Sequence, residues 1–164
     1  MTATLRKIEQ QDLGALVRIY VETYKDNPDE HWTVDSAYKL LLYWFNKQPD
    51  LAYLAETDGQ IVGGFLIAVK PWWDGNHLFD GELFVHPDYQ KQNIGKNLLK
   101  KVLAEAVKNY NAVEMDTYTF TTDFPLNWYK RIGLGEIKEW VMLSGKVKEI
   151  IKNLNRQDDK NNHF

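Results

Sequence analysis

The stretch from Gly81 to Tyr110 constrains this chain more than any other. A strand-like run, Gly81-Glu82-Leu83-Phe84-Val85, turns at His86-Pro87-Asp88 and opens within a few residues onto a long amphipathic segment. From Asn93 to Tyr110, the residues Ile94, Leu98, Leu99, Val102, Leu103, Ala106, Val107 and Tyr110 recur at helical spacing, and Lys96, Lys100, Lys101 and Lys108 face away from them. A strand feeding such a helix through a tight loop calls for a sheet with helices on its faces. The first turn of that helix presents unpaired N–H groups and the positive end of its dipole, which suit phosphates. Gly95 lets a ligand approach the backbone there. Five lysines between Lys91 and Lys108, against one acid, suit a polyanion. The same pattern also describes an ordinary solvated helix face, so phosphate binding and plain structure both remain open on these residues alone.

The other segments fill in a mixed α/β order. Thr4 to Ile8 reads as an opening strand, and a helix from Gln10 carries Leu13, Leu16, Val17, Tyr20 and Tyr24 before Asn27-Pro28-Asp29 ends it. Thr33 is a candidate N-cap for a second helix to Lys47. Leu51–Glu56 and Ile61–Val69 flank Thr57-Asp58-Gly59-Gln60, a hairpin signal. After the turn-rich Pro71 to Asn76, a strand is expected over His77–His86. Beyond the long helix come a strand over Ala112–Thr119, a short helix over Asp123–Arg131 stopped by Ile132-Gly133, a last strand over Glu136–Ser144 and a terminal helix over Val147–Leu154. Residues 1–154 are expected to form one domain and 155–164 a polar, frayed tail.

Composition narrows the classes. The 164 residues carry a net charge of −3, which points away from nucleic acid, and no cysteine, which removes disulfides, thiolate metal sites and a cysteine acyl-enzyme. His31, His77, His86 and His163 lack ligand spacing, so no metal is expected. The N-terminal residues hold no apolar core of a leader and no apolar run approaches a membrane span, so a cytoplasmic location with no membrane partner is expected.

Two motifs carry a family resemblance. Val85-His86-Pro87-Asp88-Tyr89-Gln90, followed by Ile94-Gly95-Lys96-Asn97-Leu98-Leu99, resembles the acetyl-CoA-binding motif of the GNAT acetyltransferases, which runs V-x-P and then Q/R-x-x-G-x-G/A into a helix. Asn93 stands where that motif has its first glycine, and Asn is the non-glycine residue that best tolerates left-handed backbone. Asn127-Trp128-Tyr129-Lys130-Arg131-Ile132-Gly133-Leu134 resembles the family's later N-x-x-Y-x-x-x-G-F element, with the Asn two positions before the Tyr and Leu134 for Phe. The strong resemblance covers about Asp80 to Leu134.

The resemblance implies an α/β fold with a central mixed sheet flanked by helices, the acyl-CoA N-acyltransferase fold. It implies acetyl-CoA as co-substrate, with backbone groups of Phe84 and Val85 meeting the pantetheine. Gln90, Lys91, Gln92, Asn93, Ile94, Gly95 and Lys96 would surround the pyrophosphate, and Asn127 is either a further cofactor contact or a helix cap. Glu82 is the candidate base for the incoming amine, with Asp80, two residues away and so expected on the same strand face, as its substitute. A solvent-facing strand charge is the plainer reading of Glu82. By family position Tyr129 is the candidate acid for the departing thiolate, against the plainer reading of a packed tyrosine.

The resemblance also implies that the acceptor meets the segments holding Tyr24, Trp32, Trp72, Trp73 and Phe79, with Asp80 at the strand, beside Asp26, Asp29, Glu30 and Asp74; surface turns with packed aromatics are the plainer reading of the same residues. Aromatic faces with carboxylates suit a cationic small-molecule amine, of polyamine or aminoglycoside-like type, acetylated in a ternary complex. A peptide or protein N-acetyltransferase and a non-catalytic CoA-binding module are the alternatives. A homodimer is in keeping with the family.

Overall fold

The computed structural model describes residues 3–121 and 123–161, which group into two compact units, Met1–Tyr118 and Thr119–Phe164. The first contains β1 (Thr4–Lys7), α1 (Leu13–Tyr24), α2 (Val34–Lys47), β2 (Tyr53–Thr57), β3 (Gln60–Trp72), β4 (Gly75–Val85), α3 (Ile94–Tyr110) and β5 (Ala112–Asp116). The five strands form one sheet in chain order, antiparallel from β1 to β4 and parallel between β4 and β5.

Local chemistry sets the joints. Thr33 Oγ1 accepts from Ser36 N at 3.1 Å and Thr33 N donates to Ser36 Oγ at 3.0 Å, a reciprocal cap that starts α2 where expected. Asp58 and Gly59 both take positive φ, 51° and 76°, and Thr57 pairs with Gln60, as a two-residue hairpin turn requires. The second hairpin is tighter than its sequence suggests: Pro71 and Trp72 stay in β3 and pair with Asn76 and Gly75.

Both sheet faces are covered. Leu13, Leu16, Val17 and Tyr20 of α1 and Ala37, Leu41 and Trp44 of α2 form one buried cluster with Leu54, Leu66, Ala68 and Phe84. Strand alternation sends Phe65 and Ile67 to the opposite face, where α3 runs across β2 to β5 and buries Leu98, Leu99, Val102 and Ala106.

The second unit holds α4 (Asp123–Arg131) and α5 (Val147–Asn161). Phe124, preceding Pro125, is extended (φ −119°, ψ 127°), so regular helix begins at Pro125. The strand expected over Glu136–Ser144 is not formed, and β5 stops at Asp116 instead of Thr119. Alternation makes a strand only when one face is buried. Here Trp140, Val141, Met142 and Leu143 are 69–87% exposed, so neighbours of both parities lie open. Helix α5 continues past Leu154 to Asn161; residues 162–164, with His163, lie outside the described residues.

Candidate active site

The site begins where β4 parts from β5. On one edge β4 pairs with β3 from Gly75 to Val85, but on the other it pairs with β5 only from Asn76 to Phe79. Among the described residues no strand covers that second edge from Asp80 to Val85. The parting coincides with a bulge: Leu66 faces Glu82 and Ala68 faces Phe79, so Asp80 and Gly81 together oppose Ile67. Asp80 takes φ 58° and Gly81 φ 98°. A Cβ on Gly81 would lie 2.5 Å from the Leu66 carbonyl oxygen, so only glycine fits there.

The bulge corrects the expectation that Asp80 and Glu82 share a face by simple alternation. Residues directly opposite across strands point the same way, so Glu82 shares its face with Leu66, Ala68 and Phe79. Asp80 is the extra residue. Its negative charge still reaches Glu82.

Glu82 is half-buried beneath α1, and the Tyr20 hydroxyl donates to its Oε2 at 2.9 Å. Burial pushes the Glu82 carboxyl up to about 7, and the charges of Asp80 and Glu30 push the same way, while the Tyr20 hydrogen bond opposes them. The Trp44 indole N–H is electrostatically favourable to Glu82, yet it has no acceptor within hydrogen-bonding reach. The geometry governs, so Tyr20 is the donor that orients this carboxylate. Tyr20 is only 2% exposed, and its own ionisation is pushed far upward by that burial and by Glu82.

Around this pair stands an aromatic wall. The Tyr20 ring lies 4.7 Å from Tyr24, 5.3 Å from Trp32 and 5.1 Å from Phe84, centroid to centroid. Trp32 Nε1 donates to Glu30 at 2.9 Å, which brings a second carboxylate to the same aromatic group. Tyr24 and Trp32, expected at the acceptor, are thus gathered with Glu82. Tyr20 is the member that sequence reasoning missed as a site residue; its hint was an aromatic at i, i+4 to Tyr24 on one helix face.

Trp72 and Trp73 are not gathered there. Trp72 opposes Gly75 at the hairpin tip, six residues along β3 from Leu66, or about 20 Å. Asp74 is engaged elsewhere, on His77. The His77 ring meets Asp74 at 2.9 Å through Nε2 and Asp116 at 2.7 Å through Nδ1. Donor atoms of Asp74, His77 and Glu114 come within 4.8 Å of one another, a grouping that chain spacing conceals because Glu114 arrives from β5.

The loop after β4 forms an anion cradle. Lys91 and Asn93 both adopt left-handed backbone, φ 61° and 63°, so Asn93 takes the conformation expected of it. The Asn93 side chain does not cap α3, and the first helical bond of that turn is Asn97 N to Asn93 O at 2.9 Å, so among the described residues the amides of Ile94, Gly95 and Lys96 are left to face a ligand. Only Val85 Cγ2, at 3.7 Å, would come within 4 Å of a Cβ on Gly95, so the approach is open. Ile94 is buried and contributes backbone alone. Gln90 is turned inward, its Nε2 donating to the Val85 carbonyl at 3.0 Å, and Gln92 donates to the Asp88 carbonyl at 3.3 Å. Both bonds tie the loop to its own backbone and to the end of β4. Lys91 and Lys96 are exposed at its rim. The free β4 edge and the uncapped helix end together fit an extended amide chain ending in phosphates.

Tyr129 and Asn127 belong to α4 in the second unit. The Tyr129 ring packs against Trp128 at 4.9 Å, its carbonyl accepts from Leu134 N at 3.1 Å, and Asn127 is exposed.

Residues 5–134 match the acetyltransferase (GNAT) family. The chain is similar to an uncharacterized N-acetyltransferase of Archaeoglobus fulgidus, 30% identical over 117 residues that span 66% of this chain and 77% of that one. Its fold is similar to a possible acetyltransferase from Clostridium difficile (TM-score 0.72, 15% identity, 90% of this chain and 99% of that one). It is also similar to a predicted acetyltransferase from Clostridium acetobutylicum solved with acetyl-CoA (TM-score 0.68, 22% identity, 87% and 96%).

Proposed function

Because this chain belongs to the acetyltransferase (GNAT) family, and is thereby an acetyl-CoA-dependent N-acetyltransferase, we propose that it acetylates the primary amine of a small molecule with Glu82 as the base. The observation that carries this reading is the Glu82 carboxyl itself, half-buried, held by Tyr20 and poised at about 7, on the strand segment whose free edge leads to the anion cradle.

An alkylamine arrives as an ammonium at neutral pH, with a pKa near 10. As a carboxylate, Glu82 accepts its proton, directly or through one water, while Tyr24 and Trp32 offer π-faces to the cation. Acetyl-CoA supplies the thioester carbonyl carbon, at which the C–N bond forms as the C–S bond breaks. On the β4 edge, backbone N–H groups near Phe84 and Val85 are the candidate donors to the carbonyl oxygen. The uncapped amides of Ile94 to Lys96 take the phosphates, with Lys91 and Lys96 adding charge at the rim. Tyr129 is assigned the proton that the departing sulfur takes up, and Asn127 a weaker contact to the same ligand. Transfer is direct, since the sequence holds no cysteine to carry the acyl group. A cytoplasmic setting belongs to the same reading.

The polyamine and aminoglycoside-like classes rest on the carboxylates near the aromatic wall. Glu30 stands there, whereas Asp74 is committed to His77. The test is turnover of acetyl-CoA with a panel of primary amines. The reading expects acetylated amine and free CoA in equal amounts, and a Tyr129→Phe loss in kcat of about tenfold or more. CoA binding without acetylation of any amine in the panel would overturn the small-molecule reading in favour of a peptide or protein acceptor.

A further inference from the structure

Next to Glu82 the same sheet face holds a groove of about 260 Å³ lined by Lys47, Ala68, Val69, Lys70, Pro71 and Phe79. Its place follows from the register: Leu66 opposes Glu82, and one step along the face Ala68 opposes Phe79. Two residues of strand span about 7 Å. On this face the apolar side chains are those of Ala68 and Phe79, Val69 and Pro71 being of the opposite parity along β3, and the charged groups among the six are two ammonium ions.

Those ions are held but not neutralised. Lys70 Nζ lies 4.1 Å from the Trp72 ring centroid and 4.2 Å from that of Phe79. Lys47 Nζ lies 5.3 Å from Tyr43 and 5.1 Å from Trp44 and donates to the Tyr43 hydroxyl at 3.1 Å. Neither has a carboxylate within 4 Å among the described residues, in contrast to Lys25, Lys39, Lys101 and Lys130. Asp80 senses the charge of Lys47 from outside the groove lining. Cation–π contacts fix a charge in place while leaving it attractive to an anion.

We propose that the acceptor is a zwitterion whose amine sits at Glu82 and whose carboxylate, across an aliphatic spacer, lies between Lys47 and Lys70. This rests on the reading of Glu82 as the base for a small amine, and it narrows the acceptor. A polyamine would place its second ammonium against two lysines, so the groove selects against the very class that the aromatic wall alone would admit.

The experiment compares kcat/KM for 6-aminohexanoate, hexylamine and 1,6-diaminohexane at pH 8, in the wild type and in Lys47→Glu and Lys70→Glu. The three probes share an amine and a spacer and differ in the distal charge. The expected order in the wild type is the carboxylate first and the diamine last, separated by about tenfold or more. Each charge reversal should narrow or invert that ratio. A wild-type preference for the diamine, or a ratio that neither substitution changes, overturns the inference while leaving Glu82 as the base. Failure of all three amines to react, with acetyl-CoA bound, overturns this inference, and the small-amine reading falls with it only if the wider amine panel fails as well.

Discussion

At the residue scale, one carboxyl and one hydroxyl define the chemistry. A hydrogen bond from Tyr20 favours the charged form of Glu82, and burial favours the neutral form; burial wins and pushes the carboxyl up to about 7, which suits the proposed role as base. Tyr20→Phe removes the opposing contribution. A hydrogen bond to a charged group is worth about 1.5–3 kcal/mol, and 1.36 kcal/mol is one pH unit. The acid limb of kcat/KM should therefore move upward by about one to two pH units in Tyr20→Phe, with most of the high-pH rate retained. An unmoved limb would mean that the Tyr20 hydroxyl does not govern the base. The candidate base was legible in the sequence because it sits three residues before Val85 in a recognisable motif. Its partner was not: Tyr20 lies 62 residues away, and its spacing reads equally well as core.

At the element scale, β4 does the positioning. The bulge at Asp80–Gly81 puts Glu82 on the α1 face and coincides with the end of the pairing with β5, so one local irregularity marks both the proposed base and the free edge. Period-two reading put Asp80 and Glu82 on one face, because nothing in Phe79-Asp80-Gly81-Glu82 marks a bulge except a glycine. Gly81→Ala tests this. Its Cβ would meet the Leu66 carbonyl oxygen at 2.5 Å and Ile67 Cβ at 2.9 Å, with φ at 98°. The expected cost is more than about 1 kcal/mol in denaturant unfolding, with a larger loss of activity than of stability because Glu82 is displaced. Equal stability and rate would show that the bulge is not required. Elsewhere the elements announced themselves through local chemistry: the Thr33 cap, the Asp58-Gly59 turn and the α3 stripe all stand where expected. The strand expected over Glu136–Ser144 failed for the opposite reason. Its alternation is a local property, whereas a strand is made by a neighbour.

At the scale of the whole molecule, the buried titratable groups give stability a sloping dependence on pH. Glu82 has a folded pKa raised from 4.5 to about 7, so the native state binds more protons than the unfolded chain between those values. Its contribution is full below about 4.5 and is lost as pH rises through about 7, a loss of roughly 3 kcal/mol. His77, 5% exposed and raised by its hydrogen bonds to Asp116 and then Asp74, has the same sign: its contribution is full below its ordinary value and disappears above the raised one. Asp12 opposes them on the acid side. The Arg6 fork holds its carboxyl below the ordinary range, so that contribution is lost as pH falls through the folded value. The thermal midpoint should thus fall between pH 5 and pH 8, and fall less in Glu82→Gln, which cannot titrate. A midpoint that rises over that range in the wild type would contradict this assignment.

Glu82 as the base is open to direct measurement. The direct measurement is the pH profile of kcat/KM for the best primary amine, in the wild type and in Glu82→Gln, with acetyl-CoA affinity measured alongside. The account predicts a wild-type rate that rises with an apparent pKa of about 7, and a Glu82→Gln rate lower by about 10²–10⁴-fold at its plateau, with acetyl-CoA bound as before. A Glu82→Gln enzyme that keeps the wild-type rate and the same limb would contradict it, and the proton would then have to leave the amine by another route.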